Sequence, residues 1–389
     1  MGRRAHIAEV FIVFLSLGLT SFGGPVAHLG YFRDAFVTRR NWLTDAAYAD
    51  LVAFCQFLPG PASSQVGIAI GHVRAGYAGA LVAWIGFTLP SVLLLYLAVL
   101  GANLWSGALA LGVLHGLKLA ALAIVAQAVE QMSLRLTPDW PRRAIAIIAA
   151  AIVLLVPSGP MPVVVITVAA LGGALLSPSP IAPRVAFRHH PVALVLLAGF
   201  ALLLIGLPLI SVWTALPWLD IVDRFYRTGA LVFGGGHVVL PLLQGELVDP
   251  GLIDRDLFLA GYGAAQAVPG PLFSFAFYAG ALLKAPPNGL AGGLLALAAI
   301  YLPSFLLVLG ALPYWQQLKT VPRLRAGLDI ANAAVVGLLL AALISPVFTS
   351  AVFAPLDLTL ALVALAALFL RAPPWLVVIA MGAVGALLR

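Results

Sequence analysis

The chain has 389 residues, 62% of them hydrophobic and 9% charged, with a formal net charge of +7. A water-soluble domain carries roughly 25% charged residues, so this composition excludes one and calls for lipid as the solvent. The positive charges are scattered over short connections, which excludes a nucleic-acid surface and suits membrane loops. Cys55 is the single cysteine, leaving no disulfide framework and no thiolate metal cluster.

Apolar runs near 20 residues recur from end to end, rich in Leu and Ala and without ten-residue alternation. They predict an all-α polytopic membrane protein and not a β-barrel. The first span is expected over 7–22. Arg3-Arg4 ahead of it superficially resembles the start of a signal peptide. The residues that follow belong to an internal repeat, so the span is read as retained. It ends in Ser21-Phe22-Gly23-Gly24-Pro25, and a polar connection with Arg33, Asp34, Arg39 and Arg40 follows. Thr44-Asp45 caps a helix running to about Phe57, and Pro59-Gly60-Pro61 stops it. A short second helix is expected with Pro61 at its first position, where the missing N–H costs nothing. Further spans are expected over 77–101 with a kink at Pro90, then 109–132, 144–156 and 163–176. A hydrophobic connecting segment, 191–219, carries Pro208 and is expected to form a helical hairpin.

The second half repeats this order. A span ends in Phe233-Gly234-Gly235-Gly236-His237, and an acidic connection holds Glu246, Asp249 and Asp254. A second broken segment surrounds Pro269-Gly270-Pro271, and spans follow over 290–312, 328–345, 356–370 and 375–388. The landmarks answer one another in sequence: Phe22-Gly23-Gly24 with Phe233-Gly234-Gly235, Gln56 with Gln266, and Ser64 with Ser274. Leu89-Pro90-Ser91 answers Leu302-Pro303-Ser304, and Gly116-Leu117-Lys118 answers Gly327-Leu328-Asp329. An internal duplication follows. It divides the chain into an N-terminal repeat (1–190), the connecting segment (191–219) and a C-terminal repeat (220–389). Each repeat is expected to hold about five spans and one re-entrant broken segment. Arg33/Arg39/Arg40, Arg135/Arg142/Arg143 and Arg184/Arg188 share one side if the broken segment is re-entrant. Placing Arg224/Arg227, Lys319/Arg323/Arg325 and Arg371 on that same side requires the two repeats to be inverted.

Irregular backbone at membrane depth persists only where it is buried in protein or lines a watery cavity. The two Pro-Gly-Pro breaks therefore mark a site. A half-helix that starts at such a break presents N–H groups and the positive end of its dipole, which suits an anion. The candidate ligands are Gln56, Pro59, Gly60, Ser63, Ser64 and Gln65 in the first repeat, and Gln266, Gly270 and Ser274 in the second. The Gly-rich breaks add Ser21, Gly23 and Gly24, and Gly234, Gly235, Gly236 and His237, as anion-binding nests. The plainer role for these prolines and glycines is kinking and tight packing. Lys118 and Arg227 are ionisable residues inside apolar spans. Lys118 either holds an anion or pairs with its counterpart Asp329, and Arg227 either adds charge to the site or snorkels. His28, His72 and His237 are candidate proton carriers. No nucleotide-binding or catalytic signature is present, and no cofactor is expected.

At these residues the chain resembles the chromate ion transporter family in its long, two-domain form. Ser21-Phe22-Gly23-Gly24-Pro25-Val26-Ala27-His28-Leu29-Gly30 is similar to the family's first motif. Gln56-Phe57-Leu58-Pro59-Gly60-Pro61-Ala62-Ser63-Ser64-Gln65 is similar to its second, and Phe233–His237 and 261–271 to the C-terminal equivalents. The resemblance implies a plasma-membrane transporter that exports chromate and confers resistance, with sulfate as a related tetrahedral dianion. It also implies two homologous halves, and single-domain relatives that work as pairs, so a homodimer is left open. The residues alone reach a secondary transporter of an anion, with rocking of one half against the other, and a coupling proton left open. An anion channel of the same architecture and a non-transporting membrane scaffold are the alternatives.

Overall fold

A computed structural model describes residues 3–104, 107–156, 160–176 and 190–388, and every regular element among them is helical. The first repeat contributes α1 (Arg3–Thr20), α2 (Gly24–Arg33) prolonged by a π-helical turn at Asp34–Arg39, and α3 (Asp45–Phe57). It continues with α4 (Ala62–Leu104), α5 (Ala108–Leu136), α6 (Trp140–Leu155) and α7 (Met161–Leu176). After α8 (Pro191–Thr214) come α9 (Pro217–Leu231), α10 (Val239–Leu243) prolonged by a π-helical turn at Gln244–Val248, α11 (Arg255–Ala267) and α12 (Phe275–Ala281). The chain ends with α13 (Gly289–Ala311), α14 (Trp315–Leu318), α15 (Pro322–Ala342), α16 (Thr349–Ala351), α17 (Pro355–Phe369) and α18 (Pro374–Leu387). Five stretches are long and apolar enough to cross a membrane: Ala62–Gly101, Leu109–Leu136, Pro191–Thr214, Gly289–Leu318 and Pro322–Ala351.

Local chemistry sets the broken segment. Thr44 caps α3 as expected, its hydroxyl accepting from the Ala47 N–H at 3.2 Å. The helix stops at Leu58, before the prolines. The next helix starts at Ala62, so Pro61 lies just ahead of it and not at its first position. That helix also ends early. Ala75 and Gly76 leave helical geometry (φ −142° and 68°), and the chain folds back until the backbones of Gly71 and Gly79 touch. α3 and the first part of α4 therefore enter and leave by one face. Asp50 of α3 pairs with Lys319 at 3.3 Å, and His72 and Tyr77 at the turn lie with His190 and Pro313.

α1 behaves in the same way, against the expectation that it crosses. Glu9 pairs with Arg74 at 3.0 Å near that same face, while Ser21 reaches only the level of Phe87 and Ser91, halfway along the second part of α4. Gly23 and Gly24 (φ 97° and 75°) reverse the chain, and α2 returns with Phe32 on Phe87 and Phe36 on Phe14. Length could not reveal this. Eighteen residues rise about 27 Å, close to the thickness of a bilayer core of about 30 Å.

The second repeat forms the same two re-entrant hairpins, α9 with α10 and α11 with α12. Its orientation follows from α5 and α15, the helices that carry the matching Lys118 and Asp329. Met132 and Leu136 near the end of α5, and Asn332 midway along α15, all face Gly234, and Arg142 just past the end of α5 pairs with Asp329 in the first half of α15. At the other end, Phe353 beyond α16 lies against His115 (6.0 Å) and Lys118 (5.5 Å) near the start of α5. The counterpart helices run antiparallel, so the repeats are inverted. α8 is one continuous helix of 24 residues with Pro208 inside it, about 36 Å long, and not a hairpin. A hairpin at 191–219 is required only if α1 crosses. With α1 turning back, each repeat starts and ends on one face, and a single crossing by α8 inverts the second. Each repeat thus holds two re-entrant hairpins, two long helices and a short terminal hairpin, in place of about five plain spans.

The repeats are interlocked. α6 and α7 of the first lie along α15 of the second, and α17 and α18 of the second lie along α5 of the first. Glycine lets these backbones touch, Gly337 against Ala146 and Gly112 against Gly385. Asp50–Lys319 and Arg142–Asp329 (3.3 Å) put the loops at Arg142 and Lys319, one from each repeat, on one face, while Arg184 and Arg188 lie outside the described residues. Arg224 and Arg227, grouped above with those loops, instead lie within α9 in a cluster of carboxylates.

Candidate functional site

Four chain reversals meet at mid-depth: Ser21–Gly24, 59–61, Val232–Gly236 and 269–271. They are tied in two reciprocal pairs. The Gly60 N–H donates to the Val232 carbonyl at 2.7 Å, and the Gly270 N–H donates to the Ser21 carbonyl at 2.9 Å. Each Pro-Gly-Pro break is thereby docked on the Gly-rich break of the other repeat. Only glycine fits these two places. Both have positive φ (122° and 103°), and a Cβ would meet Ser304 Oγ at 2.8 Å or Ser91 Oγ at 2.7 Å. Ser91 and Ser304 are the serines of the two Leu-Pro-Ser landmarks. The breaks expected to free amides for an anion thus spend their glycine N–H groups on locking the repeats together.

The side chains near the breaks are mostly occupied. His28 is fully buried, with Nε2 3.2 Å from the Ser21 carbonyl and Nδ1 3.4 Å from Ser63 Oγ. Ser64 Oγ lies 3.4 Å from the Tyr301 hydroxyl. Gln65 Nε2 donates to the Pro59 carbonyl at 2.6 Å and rigidifies the break from inside. Ser274 Oγ donates to the Pro271 carbonyl. Among the described residues the buried Ser21 Oγ and Gln65 Oε1 have no partner. They are the polar atoms at the breaks still able to take one. Gln56 is exposed on the last turn of α3.

An open cavity of about 120 Å³ adjoins this junction. A single water needs roughly 10–15 Å³ by such a measure, so a tetrahedral oxyanion fits. Its walls are the Gly234, Gly235 and Gly236 backbone, His237, Pro25, and the last turns of α5 with Gln131 and Arg135. The His237 ring is fixed by Tyr262, whose hydroxyl lies 2.8 Å from Nδ1. Among the described residues Arg135 makes no ion pair, so an unpaired, exposed cation lines the cavity. Sequence reasoning counted Arg135 only as a loop charge and passed over Gln131. The available signal was their i, i+4 spacing at the end of α5, which puts both on one helix face. In the register that pairs Lys118 with Asp329, their counterparts are Ala342 and Pro346. Ala342 and Pro346 line a separate cavity, with Gln244, Asp249 and Arg255, and add no polar side chain of their own to it.

Lys118 and Arg227 lie outside this cavity. Lys118 is buried near the far end of α5 and pairs with Asp256 at 2.9 Å, not with Asp329, which pairs with Arg142 instead. Arg227, two turns before Gly234 on α9, is held by Asp223 (2.8 Å) and Glu246 (3.2 Å) and does not snorkel. His72 lies at the α4 turn, away from the reversals.

The model of the chromate transporter family matches residues 8–174 and 219–386, one match for each repeat. The chain belongs to the chromate transporter family. It is 28% identical to a probable chromate transport protein of Synechococcus elongatus over 341 residues, covering 85% of this chain and 82% of the relative. It is 28% identical to a chromate transport protein of Cupriavidus metallidurans over 351 residues (87% and 82%). For a chromate transport protein of Pseudomonas aeruginosa the identity is 27% over 356 residues (85% and 79%). No solved structure matches the chain. Family membership and the long apolar helices make this a multi-pass integral membrane transporter of the bacterial inner membrane.

Proposed function

We propose that the protein moves chromate outward across the inner membrane, with sulfate as a competing tetrahedral dianion. The observation that carries this reading is the one-sided cavity at the Gly234–His237 reversal, faced by the unpaired Arg135 and by Gln131. A guanidinium matches an oxyanion with paired N–H donors, and backbone at a glycine reversal lets the anion approach closely. The relatives named as chromate transport proteins supply the choice of oxyanion.

The cavity's charged wall, the last turns of α5, leads toward the basic face, which the positive-inside rule assigns to the cytoplasm. A dianion loaded there leaves down an inside-negative potential. One charge gains about 2.3 kcal/mol per 100 mV, and a dianion roughly twice that. Interlocking of the repeats argues against one half rocking on the other. The moving bodies each combine parts of both repeats: α5 with α17 and α18, and α15 with α6 and α7. They hinge about the locked junction of the four reversals.

The test is chromate flux in proteoliposomes at a clamped potential, with sulfate as competitor. Intact protein should give saturable flux, and Arg135→Gln should raise KM by about tenfold at unchanged expression. Saturable flux with the KM of Arg135→Gln unchanged would move the binding site away from this cavity. Linear, non-saturating flux would favour the channel alternative.

A further inference from the structure

The charged cluster around Arg227 has no part in the anion cavity, yet it sits on the hairpin that forms it. Asp220, Asp223, Arg224 and Arg227 come from α9, the arm that enters the Gly234 reversal. Glu246 comes from the π-helical turn on the arm that leaves it. Arg224 reaches Asp220 at 2.8 Å and both the Glu246 carbonyl (2.8 Å) and its carboxylate (3.5 Å). Arg227 bridges Asp223 (2.8 Å) and Glu246 (3.2 Å). Asp223 and Glu246 are only 4% and 5% exposed, and Glu246 Oε1 is buried with no partner at all. The buried Asp223 and Glu246 are balanced by Arg224 and Arg227, and the partly exposed Asp220 adds a third carboxylate that leaves the whole cluster one charge negative.

One proton brings the three carboxylates and two guanidiniums to neutrality, and Glu246 Oε1 is the buried carboxylate oxygen with lone pairs left to take it. Other charges do not compete for this role. α8 and α13, which pack on α9, contain no charged residue, and the Tyr301 hydroxyl of α13 is directed to Ser64. Asp249 and Arg255 sit beside the same π-helical turn but line a separate cavity with Gln244. Asp220, at the mouth of the cluster with its side chain 39% exposed, connects it to water.

We infer that Glu246, with Asp223, is the proton-binding station that couples anion movement to a proton; this rests on the transport function proposed above. The link is mechanical and electrostatic. The Arg–Glu246 contacts staple the two arms of the hairpin whose tip walls the anion cavity. Protonation removes one negative charge from the hairpin whose tip faces a bound dianion, and loosens the staple. Proton and anion therefore favour each other's binding and move together, a reciprocity that linkage requires.

The experiment uses the full chain in nanodiscs and proteoliposomes. Chromate affinity is measured against pH, and proton movement during chromate flux is read from a trapped pH dye at clamped potential. Wild type should bind chromate on the order of tenfold more tightly as pH falls through the titration of the cluster, and should carry protons with the anion. Glu246→Gln should keep saturable chromate flux but lose both the proton movement and the pH dependence, and Glu246→Asp should restore them. Infrared difference spectra should show a protonated-carboxyl carbonyl band on chromate addition to wild type, absent in Glu246→Gln. Saturable wild-type flux that carries no proton overturns the inference and leaves the transport reading intact. So does proton movement that survives unchanged in both Glu246→Gln and Asp223→Asn. Wild-type protein that neither binds nor moves chromate or sulfate overturns both.

Discussion

The first re-entrant hairpin of each repeat has the same fold and a different interior. In the N-terminal repeat, α1 and α2 are held together by Phe14, Phe32 and Phe36, with Phe87 against them at 5.1–6.5 Å. In the C-terminal repeat, α9 and the α10 arm are held by Arg224, Arg227, Asp223 and Glu246. In the Phe22/Phe233 register, Ile12, Val13, Ser16 and Ala35 stand where Asp223, Arg224, Arg227 and Glu246 stand. Duplication kept the backbone and its glycine reversals while the packing chemistry diverged. An apolar staple is indifferent to pH, whereas a charged one responds to it. One repeat is thereby suited to be a fixed wall and the other to be the part that answers to protons.

The contrast can be broken at its base first. Gly60→Ala and Gly270→Ala each place a Cβ against a serine in the opposite repeat and force a residue with positive φ. Backbone strain of this kind costs about 1–3 kcal/mol before any clash is added. Both variants should lose monodisperse protein in size-exclusion profiles, and equal losses would show that the two locks are equivalent.

The staples come next. Phe14→Ala should destabilise by about 3–5 kcal/mol, independent of pH. Arg227→Met leaves the buried Asp223 without its cation and Glu246 with Arg224 alone, and should cost a similar amount, about 3–5 kcal/mol. Its deficit should shrink as pH falls, because unpaired buried carboxylates then take up protons and lose their charge. Melting curves over a pH series separate the two, and parallel curves for both variants would erase the distinction between the hairpins.

The cavity offers a smaller, purely functional effect. Gln131→Ala should weaken chromate binding by severalfold with no change in melting, whereas the mirror change Ala342→Gln should do nothing to affinity. An equal response at both positions would mean that the two cavity walls share the anion. Smallest of all is Lys118→Met. Its partner Asp256 has a side chain 58% exposed, and such a pair is worth little. Flux and melting should both stay within error.

Much of this was legible in the residues. Thr44 and the two Pro-Gly-Pro breaks fixed where helices start and stop, because capping and the missing proline N–H act locally. The matched landmarks revealed the duplication, and the loop arginines correctly required inversion. The misreadings came from distance. Apolar content showed that α1 is lipid-compatible but not that it turns back, since that depends on Gly23 and Gly24 reversing the chain where Ser21 meets Gly270 of the other repeat. Pro208 looked like a hairpin break, yet a long helix keeps a proline when its neighbours tolerate the bend. Gln56 carries the motif but faces outward, and the cavity-facing Arg135 passed as a loop charge.

By itself the sequence determined what each segment is made of: all-helical, membrane-embedded, duplicated and broken at four glycine-bearing points. These follow from hydropathy, propensity and local capping, which act over a few residues. Only the tertiary structure decided what those points do. The Gly60–Val232 and Gly270–Ser21 bonds, the crossing of each terminal hairpin onto the other repeat and the pairing of Arg227 with Glu246 join residues far apart in the chain. Such partners are chosen by shape and buried charge, and no local pattern in the chain encodes them.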